Sequence, residues 1–476
     1  MLFNSFHFLF FFIAVTCIYF ALPHNKRWIW LLGASCYFYM AFVPIYILIL
    51  GFTIVVDYFA GIFIENATGR RRKLYLVYSL IANIGTLCVF KYFNFLNENF
   101  SFLMQGFGLT NPIPYLSILL PIGLSFHTFQ AMSYTIEVYR GKQKAERHFG
   151  LYALYVMFYP QLVAGPIERP QNLLQQFREK HHFDSSRVFD GLKMITWGLF
   201  KKLVIADRLG IYVDGAYNYY THQSGMALIL ATIFFSFQVY CDFSAYSDIA
   251  IGSAKVMGFD LMTNFKRPIF ARNTAEFWKR WHISLSTWFK DYLYFPLGGN
   301  RVGVPRMYLN LMIVFLISGL WHGANWTFVI WGAINGFYLV FALITKKIRE
   351  RWWNLTGIDK KPVLNTAIQI VVTFTLIGFS RVFFRSENVG QAWTIIKKMF
   401  SFDGSIFNES ATMIVYSFFA IAFLVMVEFR REFFSSRFTL SYHKVFWVRN
   451  AYYALLVILI LVMGVYDGGQ FIYFQF

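Results

Sequence analysis

The 476-residue sequence has too little charge for a water-soluble fold. Only 14% of its residues are charged and 57% are hydrophobic, and the mean hydropathy is +0.48. Soluble domains carry about 25% charged residues. So few polar side chains cannot cover the surface of a soluble enzyme, and a disordered scaffold is excluded because it needs still more polar residues. The composition predicts a polytopic membrane protein with a single integral-membrane domain over residues 1–476.

The sequence is also poor in cysteine and lacks several catalytic motifs. Its four cysteines lie inside apolar runs, and none belongs to a CxxC pair. This pattern excludes a disulfide framework, and no metal site is predicted. The GxxxxGK[ST], HExxH and GxSxG motifs are absent from the sequence. Their absence excludes a P-loop ATPase, a zincin protease and an α/β-hydrolase.

Acidic residues are fewer than basic ones, and the net charge is +19. The basic residues lie in short loops between apolar runs, where they set membrane orientation and meet anionic lipid headgroups. We therefore predict contact with membrane lipid and no nucleic-acid partner. The positive-inside rule predicts a cytoplasmic location for five loops, and the first of these puts the N-terminus outside. These loops are residues 24–27, 70–73, 140–147, 260–306 and 346–361.

Long apolar runs dominate the chain, and a membrane-spanning helix needs about 20 such residues. The sequence predicts an all-α fold with about 11 transmembrane helices and additional re-entrant or interfacial helices. Two segments broken by polar residues, 151–164 and 188–212, are predicted as short spans, re-entrant helices or interfacial helices. The predicted spans are residues 2–22, 28–42, 44–64, 74–96, 114–138, 226–257, 309–321, 327–344, 364–384, 411–427 and 451–465.

The long loop at residues 260–306 is both aromatic and basic. Five of its apolar residues recur at intervals that place them on one face of a helix. The pattern predicts an amphipathic helix that lies in the membrane interface or dips into the protein as a re-entrant element. The five residues are Trp278, Trp281, Leu285, Trp288 and Tyr292.

Two histidines lie in this apolar context. His322 ends the run that begins near residue 309, in the sequence SGLWHGANW. About 13 helical rises of 1.5 Å would carry it well beyond the interface. Ionisable residues at that depth are costly and usually functional, and a neutral imidazole suits a general base. A hydrogen bond to a neighbouring helix is the alternative role. His282 is predicted as an interfacial residue or as an active-site partner.

Further polar residues interrupt the apolar runs. Asp242, Ser244, Tyr246 and Asp248 lie within predicted span 226–257. They indicate a water-filled cavity or a buried hydrogen-bond network that holds helices together. His127 lies within another predicted span and is expected to be structural. Three prolines and a glycine then break helix geometry within YPQLVAGPIERP, which predicts a re-entrant or cavity-lining element.

Six segments in this order resemble the membrane-bound O-acyltransferase (MBOAT) superfamily across almost the whole chain. The likeness is greatest to the bacterial branch that serves alginate O-acetylation, and it is weaker to the branch that transfers D-alanine to teichoic acid. The segments are YPQLVAGPIERP at 159–170, FQVYCDFSAYSDIAIG at 237–252, NFKRPIF at 264–270, FWKRWHISLSTWFKDYLYFPLGGNR at 277–301, SGLWHGANW at 318–326 and FIYFQF at 471–476.

The resemblance implies a ring of tilted helices around a central tunnel. It implies that His322 is the catalytic histidine and that His282 is a second active-site residue. Acetyl-CoA is the implied acyl donor, with no permanently bound cofactor. The candidate tunnel residues are Ser318, Trp321, Asn325, Asp242, Ser244, Tyr246 and Trp281. The candidates for binding the donor phosphates are Lys266, Arg267, Arg272, Lys279 and Arg280.

The same resemblance implies an O-acyltransferase of the bacterial inner membrane. It would move an acetyl group from cytosolic acetyl-CoA across the bilayer, and a periplasmic or extracellular acyltransferase would act as its partner. The acceptor would be an envelope polysaccharide such as alginate or another exopolysaccharide. Two alternatives remain at this point: D-alanyl transfer from a carrier protein to teichoic acid, and a polysaccharide or lipid transporter with broken helices.

Overall fold

The computed structural model describes residues 1–117, 121–163, 165–406, 411–434, 443, 445–466 and 471, and it is helical without a strand in these ranges. The N-terminal helices are α1 (Phe6–Ala21), α2 (His24–Met40), α3 (Ile47–Asn66), α4 (Gly69–Leu87), α5 (Phe93–Gly106), α6 (Leu124–Tyr139), α7 (Phe149–Met157), α8 (Tyr159–Leu162), α9 (Pro170–Gln176) and α10 (Ser185–Leu199). The following helices are α11 (Asp207–Asn218), α12 (Gly225–Met257), α13 (Thr274–Arg280), α14 (Ile283–Phe289), α15 (Val304–His322), α16 (Trp326–Ile344), α17 (Lys346–Thr356), α18 (Pro362–Arg385), α19 (Val389–Met399), α20 (Ala411–Phe433) and α21 (Phe446–Met463).

Eight helices in the described ranges are long and apolar enough to cross a membrane, and each coincides with a predicted span. The other three predicted spans form the shorter helices α1, α2 and α6, of 16, 17 and 16 residues. The predicted span 114–138 begins too early, because its helix starts only at Leu124. Gly123 has φ +77°, a left-handed conformation that interrupts a right-handed helix. The all-α polytopic class is confirmed.

The apolar helices differ in how much of their surface the protein covers. Only 17% of the apolar window of α21 is buried, whereas 72% of that of α12 is buried. Large apolar side chains such as Phe10 and Val462 are exposed. Lipid tails are as apolar as these side chains, so such surfaces are favourable in a bilayer. The chain is therefore a multi-pass membrane protein in which α12 is an inner helix.

Chain contacts divide the protein into two compact units. The first unit comprises Met1–Ile195 and Tyr246–Met262, and the second comprises Thr196–Ala245 and Thr263–Phe476. In the first unit, α3 packs on α4 and α6. A buried carboxylate, Asp57, accepts hydrogen bonds from Ser79 at 2.6 Å and from Asn83 at 2.9 Å. These bonds satisfy a group that would otherwise be costly to bury between α3 and α4.

The two segments that polar residues interrupt are both helical. Residues 151–163 form α7 and α8, whose side chains are almost all buried within the first unit. The predicted break in YPQLVAGPIERP occurs after α8, where residues 166–169 form no regular secondary structure. His127 is buried on α6 in the same unit. Residues 188–212 form parts of α10 and α11, joined by a π-helical stretch at Phe200–Ala206.

In the second unit, α15 and α16 form a hairpin that packs along its length. The two backbones meet at Gly319 and Gly332. A Cβ on Gly332 would collide with the carbonyl oxygen of Phe315, and one on Gly319 would collide with that of Phe328. Small residues allow such close approach between membrane helices. The turn of this hairpin follows directly after His322, so the packing of α15 against α16 fixes the position of that residue.

We expect Gly332→Ala to destabilise the protein by about 1–3 kcal/mol, because the added methyl group collides with backbone that cannot rotate away. Thermal unfolding in detergent, followed by tryptophan fluorescence, measures the effect. Gly33→Ala is the matched control, since a Cβ at Gly33 on α2 meets nothing within 4 Å. Alanine also has the better helix propensity there, so the control should unfold at or above the wild-type temperature. Equal unfolding temperatures for the two variants would contradict the prediction.

Candidate active site

His322 is the last residue of α15, at the turn of the α15–α16 hairpin. The backbone becomes extended at Gly323, and Asn325 then begins α16 as its N-cap. The side-chain oxygen of Asn325 accepts a hydrogen bond from the backbone N–H of Thr327 at 2.9 Å, and its amide donates to the carbonyl oxygen of Glu387 at 2.8 Å. Asn325, predicted as a tunnel residue, therefore stabilises the turn that positions His322.

The imidazole of His322 lies in an aromatic enclosure. The residue is buried, and its ring centroid lies 5.0 Å from Trp321, 5.0 Å from Trp331 and 5.5 Å from Phe384. All three rings meet the imidazole at steep angles, between 70° and 86°. Such an enclosure excludes bulk water, and electrostatic interactions are stronger in the resulting low dielectric.

The continuous amphipathic helix predicted over residues 278–292 is wrong. Helix α13 ends at Arg280, and α14 begins at Ile283. Between them His282 has φ +44° and ψ +56°, the left-handed conformation that is uncommon for residues other than glycine. The backbone of Asn264 holds this break, because its carbonyl oxygen accepts a hydrogen bond from the N–H of Ile283 at 2.9 Å. Backbone strain of this kind is typical of functional sites.

The tautomer of His282 follows from its neighbours. Its Nδ1 lies 3.2 Å from the side-chain oxygen of Asn264. That atom must be the amide oxygen, because it also faces the backbone N–H of Ser284 at 3.2 Å, and an N–H group only donates. The Nδ1 of His282 therefore carries the proton. Burial lowers the pKa of His282 to about 3, so the ring is neutral and its Nε2 is a hydrogen-bond acceptor.

Trp321 links the two histidines. Its indole lies 6.1 Å from the His282 ring and 5.0 Å from the His322 ring, measured between centroids. Phe243 packs edge-on against His282 at 4.6 Å. Ser318, also predicted as a tunnel residue, is buried one helical turn before His322. The structure thus brings His282, Trp321 and His322 together within one compact unit.

A small cavity adjoins this cluster. Side chains from α12, α13, α16 and α18 line it. Trp331 and Phe384 line it and also contact the His322 ring, and Trp281, which directly precedes His282, lines it as well. Arg381 lies 4.9 Å from the centre of the Trp281 ring and donates a hydrogen bond to the carbonyl oxygen of Ser236 at 3.0 Å.

Asp242 and Ser244 do not line this cavity in the described structure. Asp242 forms a buried ion pair of 2.8 Å with Lys202, which also pairs with Asp207 at 2.7 Å. Ser244 accepts a hydrogen bond from Lys201 at 2.7 Å. These contacts favour the second of the two predicted roles, a buried network that holds helices together.

Tyr246 and Asp248, from the same polar cluster, belong to the first compact unit. The ring of Tyr246 lies 5.4 Å from that of Phe3, and the residue is buried there. The sequence groups Tyr246 with Asp242 and Ser244 because all three lie on one helix, α12. Asp242 and Ser244 belong to the second unit, whereas Tyr246 belongs to the first.

The candidate phosphate-binding residues fall into two groups. Arg267 and Arg280 form ion pairs with Glu432 on α20, at 2.6 and 2.8 Å. Arg280 also pairs with Glu276 at 2.6 Å. Their charge is largely neutralised within the protein, so they hold the loop against α20. The side chains that remain exposed to an external anion are Lys266, Arg272 and Lys279.

The sequence patterns did not indicate several functional residues of this region. Asn335 and Arg381 line the cavity, and Lys201 and Lys202 hold the carboxylates. Arg381 lies inside an apolar run that was predicted as a span, and an ionisable residue in such a run indicates function. That signal was available in the sequence. Nothing local indicated that Asn264 would hold His282, because 18 residues separate them.

Comparisons with known proteins agree on one family for this chain. The model of the family "MBOAT, membrane-bound O-acyltransferase family" matches residues 148–384, which include both histidines. A Pseudomonas aeruginosa protein named "Probable alginate O-acetylase AlgI" is 38% identical over 405 residues, covering 84% of this chain and 75% of that protein. A "Peptidoglycan O-acetyltransferase" of Helicobacter pylori is 35% identical over 438 residues, covering 85% of this chain and 80% of that protein.

A more distant relative matches less of the chain. The "Teichoic acid D-alanyltransferase" of Bacillus subtilis is 24% identical over 286 residues, covering 56% of this chain and 69% of that protein. The relatives thus include proteins named for acetyl transfer to two different polysaccharides and others named for D-alanyl transfer.

Proposed function

The chain belongs to the membrane-bound O-acyltransferase family and is an acyltransferase, and from this premise we propose that it transfers acetyl groups for O-acetylation of an envelope polysaccharide. The observation that carries the proposal is the cluster of two buried histidines that both contact Trp321. The relatives named for O-acetylation match 84–85% of the chain, whereas the D-alanyltransferase matches 56%. This difference favours acetyl over D-alanyl.

In the proposed reaction His322 is the general base. Its imidazole accepts the proton of an acceptor hydroxyl while the hydroxyl oxygen attacks the thioester carbonyl carbon. The carbon–sulfur bond then breaks, and the proton passes from the imidazole to the departing thiolate. The products are an O-acetyl ester and a free thiol, so atoms and charge balance. The dry aromatic enclosure protects the thioester from hydrolysis.

We propose that His282 orients the reacting groups. With its Nδ1 proton donated to Asn264, the neutral ring presents the Nε2 lone pair. Because the single proton of the attacking hydroxyl goes to His322, this lone pair accepts a hydrogen bond from a second hydroxyl of the acceptor, and that contact orients the attacking oxygen toward the carbonyl carbon. The same lone pair is unsuited to stabilising an oxyanion, which needs a donor.

The donor in this proposal is cytosolic acetyl-CoA, a substrate and not a resident cofactor. Its phosphates are polyanionic, and Lys266, Arg272 and Lys279 supply exposed positive charge near the α13 region. The bacterial inner membrane is the proposed location. A periplasmic or extracellular acyltransferase is the proposed partner, which receives the acetyl group and delivers it to the polysaccharide.

We expect the purified protein in lipid nanodiscs to release CoA from radiolabelled acetyl-CoA and to pass the label to a partner acyltransferase or an envelope polysaccharide. Alginate and peptidoglycan fragments are the acceptors to compare, and empty nanodiscs are the control. A parallel reaction supplies D-alanyl carrier protein instead. Consumption of the D-alanyl donor, with no CoA release under any acceptor condition, would show that the acetyl proposal is wrong.

A further inference from the structure

Two short chain segments, residues 264–267 and 280–283, lie side by side and form the backbone around His282. Two backbone hydrogen bonds of 2.9 Å join them in an antiparallel arrangement. These bonds run from the N–H of Lys266 to the carbonyl oxygen of Arg280 and from the N–H of Ile283 to that of Asn264. The side chain of Asn264 also binds the His282 ring. The position of the ring therefore depends on how these two segments are held together.

Each segment contains a residue in the left-handed backbone region. Arg267 has φ +47° and His282 has φ +44°, and only one further non-glycine residue of the described chain has a positive φ. This region is sterically costly for a residue with a Cβ, and such a conformation persists only where the surrounding structure enforces it. Contacts from outside the two segments are therefore expected to brace them.

Glu432, in the last turn of α20, supplies such a contact. One carboxylate oxygen accepts a hydrogen bond from Nε of Arg267 at 2.6 Å, and the other accepts one from Nη2 of Arg280 at 2.8 Å. Arg267 belongs to the first segment and Arg280 to the second, so a single carboxylate bridges both. Charge-assisted hydrogen bonds of this kind are about twice as strong as neutral ones.

The bridge lies in a partly shielded position. The side chain of Glu432 is 13% exposed, and those of Arg280 and Arg267 are 16% and 27% exposed. Salt screens shielded ion pairs less than exposed ones. Phe270 packs on the same helix, with its ring 5.7 Å from that of Phe433. We expect this apolar contact to keep the loop against α20 when the carboxylate is replaced, so the effect of the charge can be tested by itself.

We propose that Glu432 is a positioning residue for His282. By bridging Arg267 and Arg280 it fixes the spacing of the two segments. This spacing keeps Oδ1 of Asn264 opposite Nδ1 of His282, so the proton stays on Nδ1 and the acceptor lone pair stays on Nε2. The inference rests on the proposed function, in which that lone pair orients the acceptor.

The test is ¹⁵N NMR of the protein in lipid nanodiscs, with labelled histidine rings and no donor present. His282→Gln identifies the His282 signals among those of the ten histidines. We expect wild-type His282 to be neutral with its proton on Nδ1. Glu432→Gln should give a mixture of the two neutral tautomers, because an amide has one acceptor oxygen and cannot accept from both arginines. In turnover of acetyl-CoA, kcat should be about tenfold lower and KM unchanged, as expected for a loss of orientation.

Arg267→Gln removes another partner of the same bridge and should produce the same mixture. Each single variant tests the bridge, so the result does not depend on the folding of one of them. The double variant Glu432→Gln, Arg267→Gln should show no larger change than either single variant, since all three break one interaction. Glu276→Gln is the matched control, because Glu276 also pairs with Arg280, at 2.6 Å, but lies on the same short helix. This variant should retain the wild-type spectrum.

The wild-type tautomer in both Glu432→Gln and Arg267→Gln would overturn the inference. An equal mixture of tautomers in Glu276→Gln would also overturn it, since this result would reflect a general effect of ion-pair loss on the loop. A wild-type protein that releases no CoA from acetyl-CoA would instead contradict the proposed function, and the NMR spectra would still decide whether Glu432 positions His282.

Discussion

His322→Ala is expected to lower kcat for acyl transfer by about 10²–10⁴-fold, the contribution typical of a positioned general base. Without the imidazole, no group at the turn of the α15–α16 hairpin accepts the proton of the attacking hydroxyl. The acceptor must then react as a neutral alcohol. CoA release and label transfer in nanodiscs measure the loss, and KM for acetyl-CoA should change little because the histidine acts in the transition state.

The control for this variant is His222→Ala. His222 is exposed in the loop between α11 and α12, and its replacement should leave kcat unchanged. Circular dichroism and thermal unfolding establish that His322→Ala retains the helical fold. His322→Gln keeps much of the side-chain volume and should lose as much activity as the alanine variant. A His322→Ala enzyme that keeps more than about a tenth of the wild-type kcat would refute the assignment of His322 as the base.

Lys202→Met is expected to destabilise the protein by about 3–5 kcal/mol. Lys202 is buried and lies 2.7 Å from Asp207 and 2.8 Å from Asp242. Removal of the ammonium group leaves two buried carboxylates without their shared counter-ion. They must then either repel each other or take up a proton. Thermal and denaturant unfolding of the protein in detergent, followed by tryptophan fluorescence, measures the loss.

Two further variants separate charge from packing. Lys347→Met removes an exposed lysine on α17 and should unfold at the wild-type temperature. The triple variant Lys202→Met, Asp207→Asn, Asp242→Asn removes the whole ion cluster and should recover much of the lost stability, because no uncompensated charge remains buried. If Lys202→Met alone unfolds like wild type, the ion cluster does not stabilise the fold.

The success of the span prediction has a simple physical basis. In a bilayer every backbone polar group must be satisfied within the helix, so a long apolar run specifies both secondary structure and location. The helices α3, α12, α16 and α18 accordingly lie where hydropathy predicts them. The ends of the helices were predicted less accurately. Helix α6 begins only at Leu124, because Gly123 before it has a left-handed conformation.

The periodicity of apolar residues did not predict the break at His282, and the reason is again physical. Side-chain spacing over residues 278–292 indicates an apolar helical face, and that face exists on both sides of the break. The break itself depends on Asn264, whose backbone and side chain bind the residues around His282. A local pattern does not contain a partner that lies 18 residues away.

The sequence by itself determined the membrane class, the all-α fold and the family, because these follow from apolar content and from motifs of adjacent residues. It also made His322 a candidate for the catalytic base, since an ionisable residue within an apolar run can be recognised from the sequence alone. Only the tertiary structure decided that Lys202 neutralises Asp242, that Glu432 binds Arg267 and Arg280, and that Trp321 joins the two histidines. Hydropathy records how a residue partitions between water and lipid, whereas the pairing of buried charges and rings depends on which helices pack together.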